Sequence, residues 1–311
     1  MTHRTDGVER VVLAQAGGLD TSIAIPWLAD TYRAEIIAVT IDLGQRKEWL
    51  EEVRDRALAT GALRAHVVDV RDEFARDYLV RGLKAGLFSD DPEAMTEALA
   101  RPIIAQTLVS IAGIEEARAV AHGDRGGSGG AALGKAVRAL DPALTVLAVP
   151  ASMSIPRDER AELSRVATVL PDEPAFVDIA LQRGVPTGVN GVAMPWLDLV
   201  DSVNILARAH GVGPSPLVAL DVAHRALERA TLSNDAEQFG SRVADEYFRI
   251  LHDGSWFSPM RHALDAYVDK IQERVGGVVR LKLFQGDCTV VECHVSPPSK
   301  PAIIPVTNDS H

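Results

Sequence analysis

The chain has 311 residues, 47% of them hydrophobic and 24% charged, a composition that folds around a core and excludes a disordered chain. Its formal net charge of −11 excludes a general polyanion-binding surface, because nucleic-acid binders carry a basic excess or stripe. The opening Met1-Thr2-His3-Arg4-Thr5-Asp6-Gly7 lacks the apolar core of a signal peptide, and no later stretch reaches the ~18 uncharged residues of a membrane span. The expectation is a cytoplasmic protein with small-molecule substrates and neither nucleic acid nor membrane as partner.

In chain order, short apolar runs alternate with helical patterns, the signature of βαβ units and a parallel sheet. Strands are expected at Val11–Ala16, Glu35–Ile41, Ala65–Val70, Ala119–His122 and Thr145–Val149. Between them, Lys47–Thr60 places Trp49, Leu50, Val53, Ala57 and Leu58 at helical spacing and stops near Gly61, and a second helix is expected over about Ala94–Ile111. The alternation ends near Pro150, where Ser152–Arg165 turns polar and Pro171-Asp172-Glu173-Pro174 punctuates the chain. A mixed second part follows, with helical patterns at Trp196–Ala209, Pro216–Ala230 and Arg261–Val275. It closes on a strand pair, Val278–Phe284 and Cys288–His294, joined at Gln285-Gly286-Asp287. Cys288 and Cys293 are the only cysteines; strand alternation sets residues five apart on opposite faces, so two reduced thiols are expected. Domains are placed at 1–165 and 172–296, and the proline-bearing tail at 297–311 is expected to be extended or disordered.

Chemistry concentrates where strands end. The first strand runs into Ala16-Gly17-Gly18-Leu19-Asp20-Thr21-Ser22 at the mouth of a helix. A glycine pair there admits close ligand approach, the free N–H groups of the helix start attract phosphate, and Thr21 and Ser22 add hydroxyl donors. The loop is neither GxxxxGK[ST] nor GxGxxG. It resembles the SGGxDS pyrophosphate loop of the ATP pyrophosphatase (PP-loop) superfamily. Two more glycine-containing loops close other strands, Thr40-Ile41-Asp42-Leu43-Gly44-Gln45 and His122-Gly123-Asp124-Arg125-Gly126-Gly127. Together they make a rim of the kind where α/β sheets bind ligands.

With these loops in order, the chain resembles argininosuccinate synthases. The matching phrases include Ile25-Pro26-Trp27-Leu28, Leu99-Ala100-Arg101-Pro102, Ala121-His122-Gly123, His210-Gly211-Val212-Gly213 and Gln272-Glu273-Arg274 followed by Val279-Arg280-Leu281-Lys282-Leu283. The resemblance implies an α/β fold: a parallel-sheet, Rossmann-like PP-loop domain plus a smaller, truncated α+β synthetase domain. In that family the ureido oxygen of citrulline attacks the α-phosphorus of ATP, pyrophosphate leaves, and the amine of aspartate displaces AMP. Positioning and charge stabilisation carry such chemistry, and Mg²⁺ neutralises the phosphates. The nucleotide residues implied are Ala14, Gln15, Ala16, Gly17, Gly18, Leu19, Asp20, Thr21, Ser22, Ile41 and Gly123. Asp20, Thr21, Ser22 and Arg101 are implied as catalytic, with Asp124 and Arg125 as weaker substrate candidates and no resident metal.

Departures from the family are expected to alter function. Ala16 stands where the family has serine. The family's Thr-Gly-Lys-Gly-Asn-Asp-Gln segment reads Arg125-Gly126-Gly127-Ser128-Gly129-Gly130-Ala131 here, with Leu133 in place of a following arginine. Glu93, Glu97 and Ala98 replace citrulline-pocket residues, and pocket segments are deleted after Gly184-Val185-Pro186 and after Gly213. The long C-terminal helix of the family's tetramer is absent, which leaves a homodimer possible. Two readings stand: an AMP-forming, carbon–nitrogen ligase rebuilt for another acceptor, and a non-catalytic nucleotide- or partner-binding relative; authentic argininosuccinate synthesis ranks below both. Among single residues, His122 reads as structural, Glu93 and Glu97 as a solvated helix face, and Trp256 and Phe257 as core.

Overall fold

The computed structural model describes residues 9–15, 21–123, 128–150, 170–213 and 215–296. Its first half is a five-stranded, wholly parallel sheet of order β3-β2-β1-β4-β5. The strands are β1 (Arg10–Gln15), β2 (Glu35–Asp42), β3 (Arg64–Asp69), β4 (Ala119–Gly123) and β5 (Thr145–Val149), close to the expected spans. Val11 to Ala14 and Ile36 to Val39 are buried, as continuous apolar strands covered on both faces must be. Helix α1 (Thr21–Tyr32) follows β1 and α2 (Lys47–Ala59) follows β2. A helix over residues 71–84, α3, widens into a π turn at Phe74–Leu79. Pro92–Ile114 forms α4 and Ser128–Leu140 forms α5. By length and composition α4 could cross a membrane, but its most apolar 18-residue stretch is 56% buried inside the fold. It is a core helix, anchored at its end by Glu115, whose buried carboxylate accepts from Arg64 at 2.6 Å and lies 2.7 Å from His66 Nε2.

The second half is a five-stranded antiparallel sheet, order β10-β9-β6-β7-β8. Besides the expected pair, now β9 (Gly277–Phe284) and β10 (Asp287–Val295), it holds β6 (Ala175–Gln182), β7 (Val185–Val189) and β8 (Val192–Ala193), which the sequence reading did not name. The β9–β10 turn is tight because Gln285 and Gly286 both have positive φ, 48° and 92°. Helices α6 (Trp196–Ala209), α7 (Leu217–Thr231), α8 (Asn234–Asp253) and α9 (Pro259–Gln272) complete the described residues; α8 was also unanticipated. One expectation about the cysteines is corrected. The register of β10 shifts between Val290 and Glu292, and this bulge sets Cys288 opposite Leu283 and Cys293 opposite Val279. Leu283 and Val279 share the buried face of β9, so the thiols share a face too, and both are free. The expected polar stretch Ser152–Arg165 and the tail from 297 lie outside the described residues.

The halves are joined by α3. Arg81 pairs with Asp269 at 2.9 Å and Lys84 with the same carboxylate, and Tyr78 stacks on buried Trp256 at 5.5 Å between centroids. Trp256 also lies under Arg261, which confirms its core role. Below this contact, Gln272 Nε2 donates to Lys84 O at 3.0 Å and to Glu228 Oε1 at 2.6 Å, while His224 meets Gln272 Oε1 at 3.0 Å. Burial pushes the His224 pKa down to about 4 and that of Glu228 up to about 7. His224 Nδ1 lies 3.7 Å from Glu228 Oε2, beyond hydrogen-bond reach, and has no partner.

Two outcomes test this packing. Gly254 ends α8 at φ 67°, and a β-carbon there would sit 2.1 Å from Ala132 O in α5. Gly254→Ala is expected to cost well over ~1 kcal/mol, the cost of the left-handed conformation alone, read as a lower urea midpoint. Glu228 has a raised pKa, so its contribution to stability is fully present below the unfolded carboxyl value and is lost as pH rises through about 7. Between the unfolded carboxyl value of ~4.3 and about 7, Glu228 therefore lowers stability as pH rises, and Glu228→Gln should remove that falling component in urea titrations, leaving the rise due to His224 with its depressed pKa.

Candidate functional site

Parallel strands point all their carboxyl ends to one rim, and there the fold opens a cleft of about 2220 Å³, well beyond the ~300–1,000 Å³ of a single small-ligand pocket. Ala14 and Gln15 from β1, Ile41 from β2 and His122 and Gly123 from β4 line it. Arg101 of α4 and Gly129, Gly130 and Leu133 of α5 line it as well. The opposite wall comes from the second half, through Arg225, Glu228, Gln272 and part of α8. Of the sequence-predicted residues, Ala14, Gln15, Ile41, Gly123 and Arg101 thus meet on one cavity. Thr21 and Ser22 begin α1 directly after the loop that follows β1. Ala16, Gly17, Gly18, Leu19 and Asp20, together with Asp124 and Arg125, lie outside the described residues.

The geometry at the rim is specific. Gln15 is 4% exposed; its Oε1 accepts from Thr40 Oγ1 at 2.9 Å, and its Nε2 has no partner. A buried amide N–H without an acceptor costs free energy, and an oxygen or ring nitrogen of a nucleotide in the cleft would satisfy it. The neighbouring loop is held open by its own bonds, from Gly44 N to Asp42 Oδ1 at 2.8 Å and from Leu43 N to Gln45 Oε1 at 2.7 Å. Gly44 has φ 110°, a conformation that favours glycine. His122 is buried with its ring toward α5, 3.9 Å from where a β-carbon on Gly134 would lie. Glu93 and Glu97 are exposed, as expected of a solvated face, yet that face looks into the cleft.

Arg101 is half-buried, and burial holds its pKa below the usual guanidinium value, with Glu97 acting in the opposite direction. Its Nη1 is buried without a partner. Sequence reasoning missed the second-half wall entirely, because nothing in the spacing of Arg225, Glu228 or Gln272 reveals that they face β1 across a cavity. Among the described residues no group of three or more histidine, cysteine or acidic side chains could hold a metal ion.

Comparison with known proteins gives the lineage of this arrangement. Residues 10–169 match the family described as Arginosuccinate synthase N-terminal HUP domain, and residues 214–299 match Arginosuccinate synthase C-terminal domain. Argininosuccinate synthase of Caldanaerobacter subterraneus is 33% identical over 90% of this chain and 84% of its own length. The proteins of that name from Moorella thermoacetica and Pelotomaculum thermopropionicum are 35% and 36% identical over 90% of this chain and 85% and 86% of theirs. Each alignment runs over 346 to 348 positions, more than this chain possesses, so the relatives carry internal segments with no counterpart here. The chain belongs to the argininosuccinate synthase family.

Proposed function

We propose that the chain is an ATP-dependent carbon–nitrogen ligase, forming AMP and pyrophosphate, that joins an amine to an acceptor other than citrulline. Family membership supports the ligase class, and one observation supports the retained nucleotide site: the buried, unpartnered Nε2 of Gln15 at the end of the central strand. On this reading the backbone from Ala14 to Ser22, with Ile41 and Gly123, holds the nucleotide. N–H groups at the start of α1 take phosphate oxygens, and Thr21 and Ser22 add hydroxyl donors. Bound MgATP supplies an AMP group to the acceptor oxygen, with pyrophosphate as leaving group. The protein's part is to hold acceptor and nucleotide in line, a contribution of roughly 7–11 kcal/mol when complete.

The altered acceptor is motivated by the wall facing that nucleotide. Gly129, Gly130 and Leu133 line the cleft where the resemblance places asparagine, aspartate and arginine. Leu133, 8% exposed, offers no N–H to a carboxylate. A hydrogen-bonding site stripped of its donors rejects its former substrate strongly.

Two measurements follow. Ala16→Ser should tighten ATP about tenfold, ~1.4 kcal/mol for one charge-assisted bond, by isothermal titration; absence of ATP binding in both forms at millimolar nucleotide would end the ligase reading. Citrulline with aspartate is expected not to raise pyrophosphate release above the rate with ATP alone. Argininosuccinate formation at an ordinary turnover, on the order of 1 s⁻¹, would show the acceptor to be unchanged. Inactivity across a panel of ureido, amide and carboxylate substrates despite firm ATP binding would favour a non-catalytic relative.

A further inference from the structure

The seam between the two halves buries a row of ionisable groups. Asp221, His224 and Glu228 stand three and four residues apart on α7 and so share one of its faces. The end of α3 contacts both α7 and α9 there. Asp221 is 5% exposed and the His224 side chain fully buried, while Glu228 reaches the cleft wall. Gln272 Nε2 donates to Lys84 O and to Glu228 Oε1, which leaves its Oε1 to accept and puts the ring proton of His224 on Nε2. His224 Nδ1 is then a bare lone pair, and neither it nor Asp221 Oδ1 has a partner.

Charged and titratable neighbours face the row without neutralising it. Arg225 acts on all three members, Asp90 on Asp221, Lys84 on His224, and Arg229 and Glu237 on Glu228. Tyr267 of α9 faces Glu228 as well. The cations among them are bonded elsewhere, Lys84 to Asp269, Arg225 to Ser89 and Arg229 to Glu237. Burial therefore prevails, pushing Asp221 up to about 6, Glu228 up to about 7 and His224 down to about 4. All three are held toward their uncharged forms.

The same seam borders the cleft. Lys84, Ser89 and Asp90 line it from the first half, and Arg225, Glu228 and Gln272 from the second. Bonds cross from Gln272 to Lys84 O, from Arg81 and Lys84 to Asp269 and from Arg225 to Ser89. Parting them widens the cavity and lets water reach the row. We infer that this seam is a proton-operated latch on the cleft: while Asp221 and Glu228 carry protons the two halves stay closed, and as both carboxyls ionise the halves part. Each carboxyl favours closure fully below its exposed value, ~3.9 for Asp and ~4.3 for Glu, and that contribution is lost as pH rises through about 6 and about 7. His224 works the other way, favouring closure above ~6.5 and losing that contribution as pH falls through about 4. Two carboxyls outweigh one imidazole, so opening increases with pH.

Single-molecule energy transfer across the cleft tests the latch. Dyes are placed on Glu52→Cys of α2 and Arg242→Cys of α8, exposed positions on helices that line the cavity from opposite halves. The full chain also carries Cys288→Ser and Cys293→Ser, so that only the introduced thiols react. From pH ~5 to ~8 the ratio of open to closed molecules should rise about tenfold or more. Asp221→Asn with Glu228→Gln should abolish that rise and leave the opposite trend, a fall up to pH ~6.5 governed by His224 alone. Glu228→Gln by itself should reduce the rise, and serves where the double variant does not fold. An unchanged ratio in the parent chain, or a rise undiminished in the variants, would overturn the latch. Circular dichroism should stay constant over the same range; loss of helix in step with the low-transfer population would also overturn it, by showing that the chain unfolds as a whole.

Discussion

The cleft depends on α3 remaining against α9, and a single buried amide secures that contact. Gln272 spends both ends of its side chain at once, donating to the backbone of Lys84 and to Glu228 and accepting at His224. It thereby ties the last turn of α3 to α7 and α9. His224, whose side chain is fully buried, cannot turn to water instead, so losing the amide would strand it at ~1–3 kcal/mol. Space is as constrained as bonding: a β-carbon on Gly184, in the turn between β6 and β7, would lie 2.1 Å from Gln272 Oε1. The charged contacts above it, Arg81 and Lys84 on Asp269, are partly exposed and weaker individually, but they repeat the same connection.

With that wall fixed, the parallel sheet does the rest. Strands running one way deliver Gln15 of β1, Ile41 of β2 and His122 and Gly123 of β4 to a common edge. The crossover helices then start at the same edge, so backbone donors and polar side chains arrive together. The cavity is electrically uneven. The rim brings the unpartnered Gln15 Nε2, whereas the segment at the beginning of α4 brings Asp90, Asp91, Glu93 and Glu97. Anionic and cationic parts of a ligand pair would therefore sort themselves along it.

Much of this was legible in the residues. Buried parallel strands are continuous apolar runs, and Val11 to Ala14 or Ile36 to Val39 cannot be mistaken for a solvated helix. In the second sheet β6 did carry a strand signal, the alternation of Val177, Ile179 and Leu181 on one face, but β7 contains Pro186 and Gly188, residues that ordinarily argue against a strand. Helix α8 did carry signals, a Ser233 cap and Val243, Tyr247, Ile250 and Leu251 at helical spacing, hidden among many charged neighbours. The bulge at Val290 to Glu292 leaves no mark in composition and reverses the facing of everything beyond it. Orphaned donors such as Gln15 Nε2 and Arg101 Nη1 are properties of packing, so no spacing rule could have found them.

Helix α4 has a consequence for how the chain is made. Its apolar surface is covered by β1 and β2, which precede it, and by β4 and α5, which follow it. A ribosome producing residues in order therefore exposes Pro92–Ile114 before Ala119–Gly123 and Ser128–Leu140 exist to cover it. During that interval the nascent protein displays a 23-residue apolar segment of the length that membrane-targeting factors survey. Glu93, Glu97 and Arg101, facing the future cavity, are the charges in it, and the last two interrupt its apolar run. The same two side chains that shape the mature cleft would also keep the unfinished polypeptide from being mistaken for a transmembrane one.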